Sequence, residues 1–279
     1  MITKSFHPHQ WALILGASSG FGAATACELS RQGMNIIGVH FDRAATMPNV
    51  KRTIHEIEAA GSRAMFFNIN ASDPVKRNET LDIIRKEFSP FPENTIKLLM
   101  HSLAFGTLRP YIGKKADDCI TQSQMEMTLD VMAHSLVYWV QGILLRGLMK
   151  SGGRIVAMTS SGGHSVISSY GAVSAAKASL ESHIRQLAME LGSYGITANS
   201  ILAGVTDTPA LRKIPGAEQM LQIAASKNPQ SRTTTPEDVA KAIALLAHDD
   251  AYFISGNIIG VDGGEDIVGF MGKSFSSEK

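Results

Sequence analysis

Tyr170 and Lys177 stand seven residues apart in the segment Tyr-Gly-Ala-Val-Ser-Ala-Ala-Lys, just after the run Thr159-Ser160-Ser161. A phenol and an ammonium sharing one site stabilise negative charge developing on an oxygen, the phenol by donating a hydrogen bond and the ammonium by its field. On a helix, at about 100° per residue, the positions four and seven before a lysine lie on nearly the same face, one turn apart. The nearer of the two is Val173, which leaves Tyr170 as the phenol facing Lys177. At about 4 Å and an effective dielectric near 20, the lysine charge is worth about 4 kcal/mol, or about three units of a phenol pKa. Ser160 adds a hydroxyl that either bonds a substrate oxygen or caps a local turn.

The elements that must position this pair begin with the apolar run Trp11 to Leu15, which enters Gly16-Ala17-Ser18-Ser19-Gly20-Phe21-Gly22 and then a helical pattern ending at Gly33. In such a strand, glycine turn and helix, Gly16 permits the tight turn, Gly20 lets the backbone approach a pyrophosphate, and Gly22 lets the helix pack close. The helix start, with Ser18, Ser19 and Phe21 in the loop, offers free N–H groups to phosphates. Asn35 to Phe41 supplies the second strand of a βαβ unit. Its tip reads His40-Phe41-Asp42-Arg43. Cationic side chains there accept the 2′-phosphate of NADP, whereas an acid grips the ribose hydroxyls of NAD. The reading is NADPH, with Arg43 and His40 towards the phosphate. Asp42 keeps NADH open, and Arg43 pairing with Asp42 or lying in solvent is the alternative without function.

Helical and extended patterns then alternate: helix 50–60, strand 64–69, helix 74–88, strand 96–100, helices in two pieces over 117–149, strand 154–158, the lysine helix, strand 196–202, helix 236–247 and strand 258–261. This order predicts an α/β fold, a doubly wound parallel sheet of the Rossmann type in three αβα layers, with ligands beyond the carboxyl ends of the strands. Strand ends therefore nominate Asn70, the turn Ser102-Leu103-Ala104, and Gly204 with Thr206 and Thr208 as cofactor-lining positions. His101 reads as a structural histidine. Glu181 and Arg185 are expected on the outer face of the lysine helix, and Met132, Trp139 and Met149 in the core. Residues 210–235 form an excursion suited to a substrate lid, on a single domain spanning 1–279. Thr235-Pro236-Glu237-Asp238 has the cap, proline and acidic first turn of a helix start.

Composition narrows the class. Lys plus Arg is 26 against 25 for Asp plus Glu, a net charge of +1, which gives no reason to expect nucleic-acid binding. Cys27 and Cys119 form no metal-ligand or CxxC spacing and read as core residues of a reducing compartment. The start lacks an apolar signal region and the chain lacks a run of about 18 uncharged apolar residues, so a cytoplasmic protein without a membrane span is expected. The end, Lys-Ser-Phe-Ser-Ser-Glu-Lys, reads as a disordered tail.

Taken together, GASSGFG, the serine run, the lysine helix, AGVTDT, TPEDVA and ISGNIIGVDGG resemble the short-chain dehydrogenase/reductase superfamily over about residues 9 to 268. Within it the Tyr-x6-Lys spacing and His101-Ser102-Leu103-Ala104 are similar to enoyl-acyl carrier protein reductases. The glycine loop and Thr206 to Pro215 most resemble their type III, NADPH-using branch. Leu15, Met132 and Ser160 depart from common patterns: Met132 stands where ketoreductases usually place Asn, and Ser160 where many enoyl reductases have an aromatic. The resemblance implies reduction of a trans-2-enoyl thioester, with an acyl thioester on acyl carrier protein as substrate and a homo-oligomer, usually a tetramer. Tyr170 would then bond the thioester oxygen, while Lys177 binds the nicotinamide ribose. Two rivals follow from the same residues: a carbonyl reductase using Ser160 and Tyr170, and a non-catalytic dinucleotide-binding regulator, for which Val173 in place of the usual tyrosine is the motive.

Overall fold

The computed structural model describes residues 5–269. Seven short apolar runs become seven parallel strands: β1 Gln10–Leu15, β2 Asn35–His40, β3 Ala64–Asn68, β4 Thr95–His101, β5 Arg154–Thr159, β6 Thr197–Ala203 and β7 Ile258–Val261. They lie in the order β3-β2-β1-β4-β5-β6-β7. The order reverses between β1 and β4, and the crevice outside their carboxyl ends is where such sheets bind ligands. β1, β2, β5 and β6 are buried almost throughout, as strands covered on both faces must be.

Helices α1 Gly20–Arg31, α2 Met47–Ala59, α3 Pro74–Phe88, α4 Gln122–Leu129, α5 Ser135–Leu145, α6 Gly171–Leu191, α7 Ala217–Lys227 and α8 Pro236–Ala247 cover the sheet. One layer packs Trp11, Leu13 and Leu99 against Trp139, Ile143, Leu180 and Ile184 from α5 and α6. The opposite layer packs Ile14, Ile36 and Met100 against Leu29 and Ile243 from α1 and α8. Trp139 and Met149 are core, as expected, and the Trp139 indole donates to the Ala71 carbonyl at 2.8 Å. The start of α8 is also as read: Thr235 and Asp238 form a reciprocal capping box with Pro236 in the first turn.

Several boundaries differ. The segment expected as two helices over 117–149 starts at Gln122, stops at Leu145 and is interrupted by a π turn, Asp130–His134. By length and mean hydropathy (1.2) Ala116–Leu145 would suffice to cross a membrane, but 56% of its most apolar window is buried within the fold. Here the apolar character serves the core. Glu181 is buried rather than on the outer face, whereas Arg185 is exposed. Cys27 is buried as expected, but Cys119 sits half-buried in a loop, its sulfur accepting the Gly113 N–H. The tail expectation lies outside the described residues.

Candidate active site

The glycine loop is built for close approach. Gly16 (φ 92°) and Gly20 (φ 52°) have left-handed backbones that side chains rarely adopt. A Cβ on Gly16 would collide with the Ser102 carbonyl, and one on Gly22 with the Gly16 carbonyl. The loop therefore nests between the ends of β1 and β4, with the start of α1 facing a crevice of about 410 Å³. Gly16, Ser18, Ser19, Gly20 and Phe21 line one side of that crevice. Ser102, Leu103 and Ala104 line its floor, and Gly204, Thr206 and Thr208 line it from the turn after β6, the Thr208 side chain packing close to Gly20. Bare backbone, free helix N–H groups and serine hydroxyls fit a dinucleotide pyrophosphate.

At the other end of the crevice, β5 is fastened to α6. Tyr170 is the cap residue of α6, and Ser169 before it adopts a left-handed turn (φ 60°) that aims the tyrosine back towards β5. Lys177 Nζ donates to the Met158 carbonyl at 2.6 Å, and Ser174 Oγ donates to Gly162 O at 2.5 Å. Glu181, one turn beyond Lys177, accepts from Thr159 Oγ1 at 2.5 Å. Positions 170, 174, 177 and 181 thus form one helical row along the end of β5. A Cβ on Gly162 would lie 2.6 Å from the Tyr170 ring and 3.3 Å from Ser160 Oγ, so the two side chains meet above that glycine. Ser160 Oγ is buried and has no hydrogen-bond partner of good geometry. Its closeness to the Tyr170 hydroxyl nonetheless bears on the acidity of the phenol.

Electrostatics sharpen the roles. Burial raises the Tyr170 phenol above its ordinary value of 10.0, and Ser160 offsets this only in part. Lys177 is not among the groups lowering it, contrary to the expectation of a direct ammonium–phenol contact; its Nζ donates to Met158 O. Tyr170 is thereby a protonated hydrogen-bond donor. Burial lowers Lys177 itself to about 8, against the attraction of Glu181. His101, wholly buried beside Lys177, is lowered to about 3 by desolvation and the lysine charge. Its Nε2 donates to Ser135 Oγ, which donates on to Val131 O at 2.9 Å. His101 is the neutral structural histidine expected.

Four nominated residues, His40, Arg43, Asn70 and Gly22, do not line the crevice. The His40 ring is buried and bonds Asp42 Oδ2 through Nδ1 at 3.1 Å. Arg43 is exposed and lines no part of the crevice, and Asn70 caps the turn into α3 by accepting from Ser72. Asp42, at the tip of β2, lines the crevice instead. Burial alone would raise its carboxyl, but bonds from Thr46, Ser18 and His40 outweigh this and lower it. Gly22 lies beneath the loop and supports it. The apolar wall was also missed: Leu108, Met132, Ile167, Val173, Ile214 and Met220 converge beside Tyr170, the last two from the excursion after β6. Their signal was faint, because each sits in a different segment. Among the described residues no cluster of metal-ligating side chains occurs.

The family model for enoyl-(acyl carrier protein) reductase matches residues 16–265. The chain is 30% identical over 259 residues to an NADPH-dependent aldehyde reductase-like protein, chloroplastic, of Arabidopsis thaliana, covering 91% of this chain and 93% of that protein. It is 36% identical over 177 residues to the enoyl-[acyl-carrier-protein] reductase [NADH] FabI of Synechocystis sp., covering 62% and 66%. The solved enoyl-(acyl-carrier-protein) reductase of Anaplasma phagocytophilum in complex with NAD superposes with a TM-score of 0.80 at 20% identity, covering 99% of each chain, a likeness of fold.

Proposed function

The chain belongs to the enoyl-(acyl carrier protein) reductase family of the short-chain dehydrogenase/reductase superfamily, and from that premise we propose that it reduces the trans-2 double bond of enoyl thioesters with a nicotinamide dinucleotide. The observation that carries this reading is the replacement of the nearer phenol by Val173, which is buried and lines the crevice, while Tyr170 reaches in from the cap of α6. The apolar wall suits an acyl chain.

A nicotinamide dinucleotide held by the glycine loop residues Gly16, Ser18, Ser19 and Gly20 would supply the hydride for the β-carbon. Tyr170 donates a hydrogen bond from its O–H to the thioester oxygen as negative charge gathers there, its raised pKa keeping the phenol protonated near neutrality, and the enolate then takes a proton from solvent at its α-carbon to give the saturated thioester. Lys177 would hold the ribose hydroxyls, Ser18, Ser19 and the N–H groups of α1 the phosphates, and Thr206 and Thr208 the carboxamide, all of these residues lying along the crevice. Leu108, Ile167 and Met220 give the substrate part of the crevice an apolar lining. The excursion after β6, with Leu211, Lys213 and Ile214 on the crevice, serves as the lid.

Of the two cofactors, the site favours NADH. This is supported by Asp42, which lines the crevice at the tip of β2 as a candidate partner for a ribose 2′-hydroxyl, while His40 is buried and Arg43 is not among the lining residues. This departs from the NADPH reading of the sequence. The setting we infer is fatty acid synthesis in the cytoplasm, with the substrate on acyl carrier protein. With it goes a homo-oligomer, a tetramer in this reading, supported by apolar surface at the exposed Tyr138, Leu145 and Met189 on α5 and α6 and at Phe253 and Ile258 before and at the start of β7.

A carbonyl reductase is the second reading, favoured by Ser160, whose unpartnered hydroxyl beside Tyr170 suits a carbonyl oxygen. Crotonyl and acetoacetyl thioesters, each assayed with NADH and NADPH, separate the two. Faster oxidation with crotonyl substrate is expected; turnover confined to acetoacetyl substrate refutes the enoyl reading.

A further inference from the structure

Lys177 is almost wholly buried where it lines the crevice, and burial works against its cationic form. The groups packed around it are few. β4 contributes His101, which is neutral; β5 contributes the Met158 carbonyl and the Thr159 hydroxyl; α6 contributes Tyr170 and Glu181. Met132, carried towards the crevice by the π turn, presents a thioether that offers no strong polar partner. Glu181 is the anion in this set, buried one helical turn from Lys177, with one oxygen fixed by Thr159. Gly163 leaves room for that carboxylate, since a Cβ there would approach Glu181 Oε1 to 2.8 Å. We infer that Glu181 is a positioning residue for the cofactor-holding lysine: its carboxylate, tethered to β5 through Thr159, keeps Lys177 charged and seated on the crevice wall. The inference rests on the reading of Lys177 as the lysine that binds the ribose.

The test uses the cofactor-free protein. Competitive acetylation with acetic anhydride, followed by peptide mass spectrometry, reports the fraction of Lys177 present as free amine at each pH. The wild-type midpoint is expected at about 8. Glu181→Gln keeps an acceptor for Thr159 but removes the charge, and is expected to lower the midpoint by about one unit. At pH 7 this raises Lys177 labelling about five-fold. Thr159→Val removes the tether and keeps the carboxylate, and is expected to shift the midpoint much less. An unmoved midpoint in Glu181→Gln overturns the inference, as does an equal shift in Thr159→Val, which would make strand fastening the cause. Glu181→Met serves the same measurement if the glutamine variant does not fold. Loss of NADH binding in Lys177→Ala tests the underlying reading of Lys177 separately.

Discussion

Replacing Asp42 by alanine isolates the group to which cofactor choice is assigned. The carboxylate lines the crevice at the tip of β2 with its pKa lowered, so it is ionised throughout the range in which the enzyme would be assayed. The 2′-phosphate of NADPH carries a charge of about −1.5 to −2. Two unit charges about 4 Å apart interact by about 4 kcal/mol at an effective dielectric of 20. The crevice opens to water, which screens this to about 2 kcal/mol. NADH in turn gains a charge-assisted hydrogen bond from its 2′-hydroxyl, worth about 1.5 kcal/mol or more. Asp42→Ala should therefore shift the ratio of kcat/KM for NADPH over NADH by about 30-fold from the repulsion alone, and further from the lost bond. The assay is initial-rate oxidation of each cofactor at saturating crotonyl thioester, repeated at two ionic strengths. High salt should narrow the wild-type preference. A wild-type preference for NADPH, or a ratio unchanged within about three-fold in Asp42→Ala, would refute the assignment and return the 2′-phosphate to Arg43.

Three further outcomes follow from the same geometry. Tyr170→Phe removes the donor to the thioester oxygen and should lower kcat by about 100-fold or more, leaving NADH binding by fluorescence titration nearly unchanged. Activity should fall as pH rises through about 8, where Lys177 loses its proton. The folded state releases that proton before the unfolded chain does, so between about 8 and the ordinary lysine value of 10.5 this group's contribution to stability rises while activity falls, and a thermal melt at pH 9 should show folded protein. Thr235→Ala breaks the capping box of α8 and should cost about 1 kcal/mol, seen as a Tm lower by about 2–4 °C. Asp238 in that box is lowered to about 2, chiefly by Arg232, so its stabilisation is present above about 4 and is lost as pH falls towards 2.

What could be read in advance followed from local rules. The order of apolar strands and amphipathic helices determined the doubly wound sheet, and the Thr235-Pro236 start and the glycine loop each encode a local conformation in a few adjacent residues. The seven-residue offset placed Tyr170 and Lys177 in one site although Tyr170 caps the helix instead of lying within it. Tertiary choices stayed hidden. Glu181 reads as a surface residue by helical spacing, and only the hydroxyl of Thr159 on β5 makes its burial sustainable. His40 and Arg43 look alike as cations near a strand tip, yet one turns inward to Asp42 and the other turns out. The apolar wall combines six side chains from the β4 and β5 loops, the π turn, α6 and the excursion, and no window of sequence contains it.

The π turn at Asp130–His134 amounts to one residue more than a regular helix would hold over that stretch. Removing a residue there would let α4 and α5 join as one continuous α-helix, but it would rotate everything before the deletion by about 100° about the helix axis. Thr128 would swing with it, and Thr128 Oγ1 is what receives the Thr107 N–H at 3.0 Å and so pins the loop leaving β4. The same loop carries Leu103 and Ala104 on the floor of the crevice. A change of length that smoothed the helix would thus loosen the cofactor floor: here a local irregularity is the condition for an ordered pocket, and insertions or deletions are less readily absorbed at this point than in the surface loops.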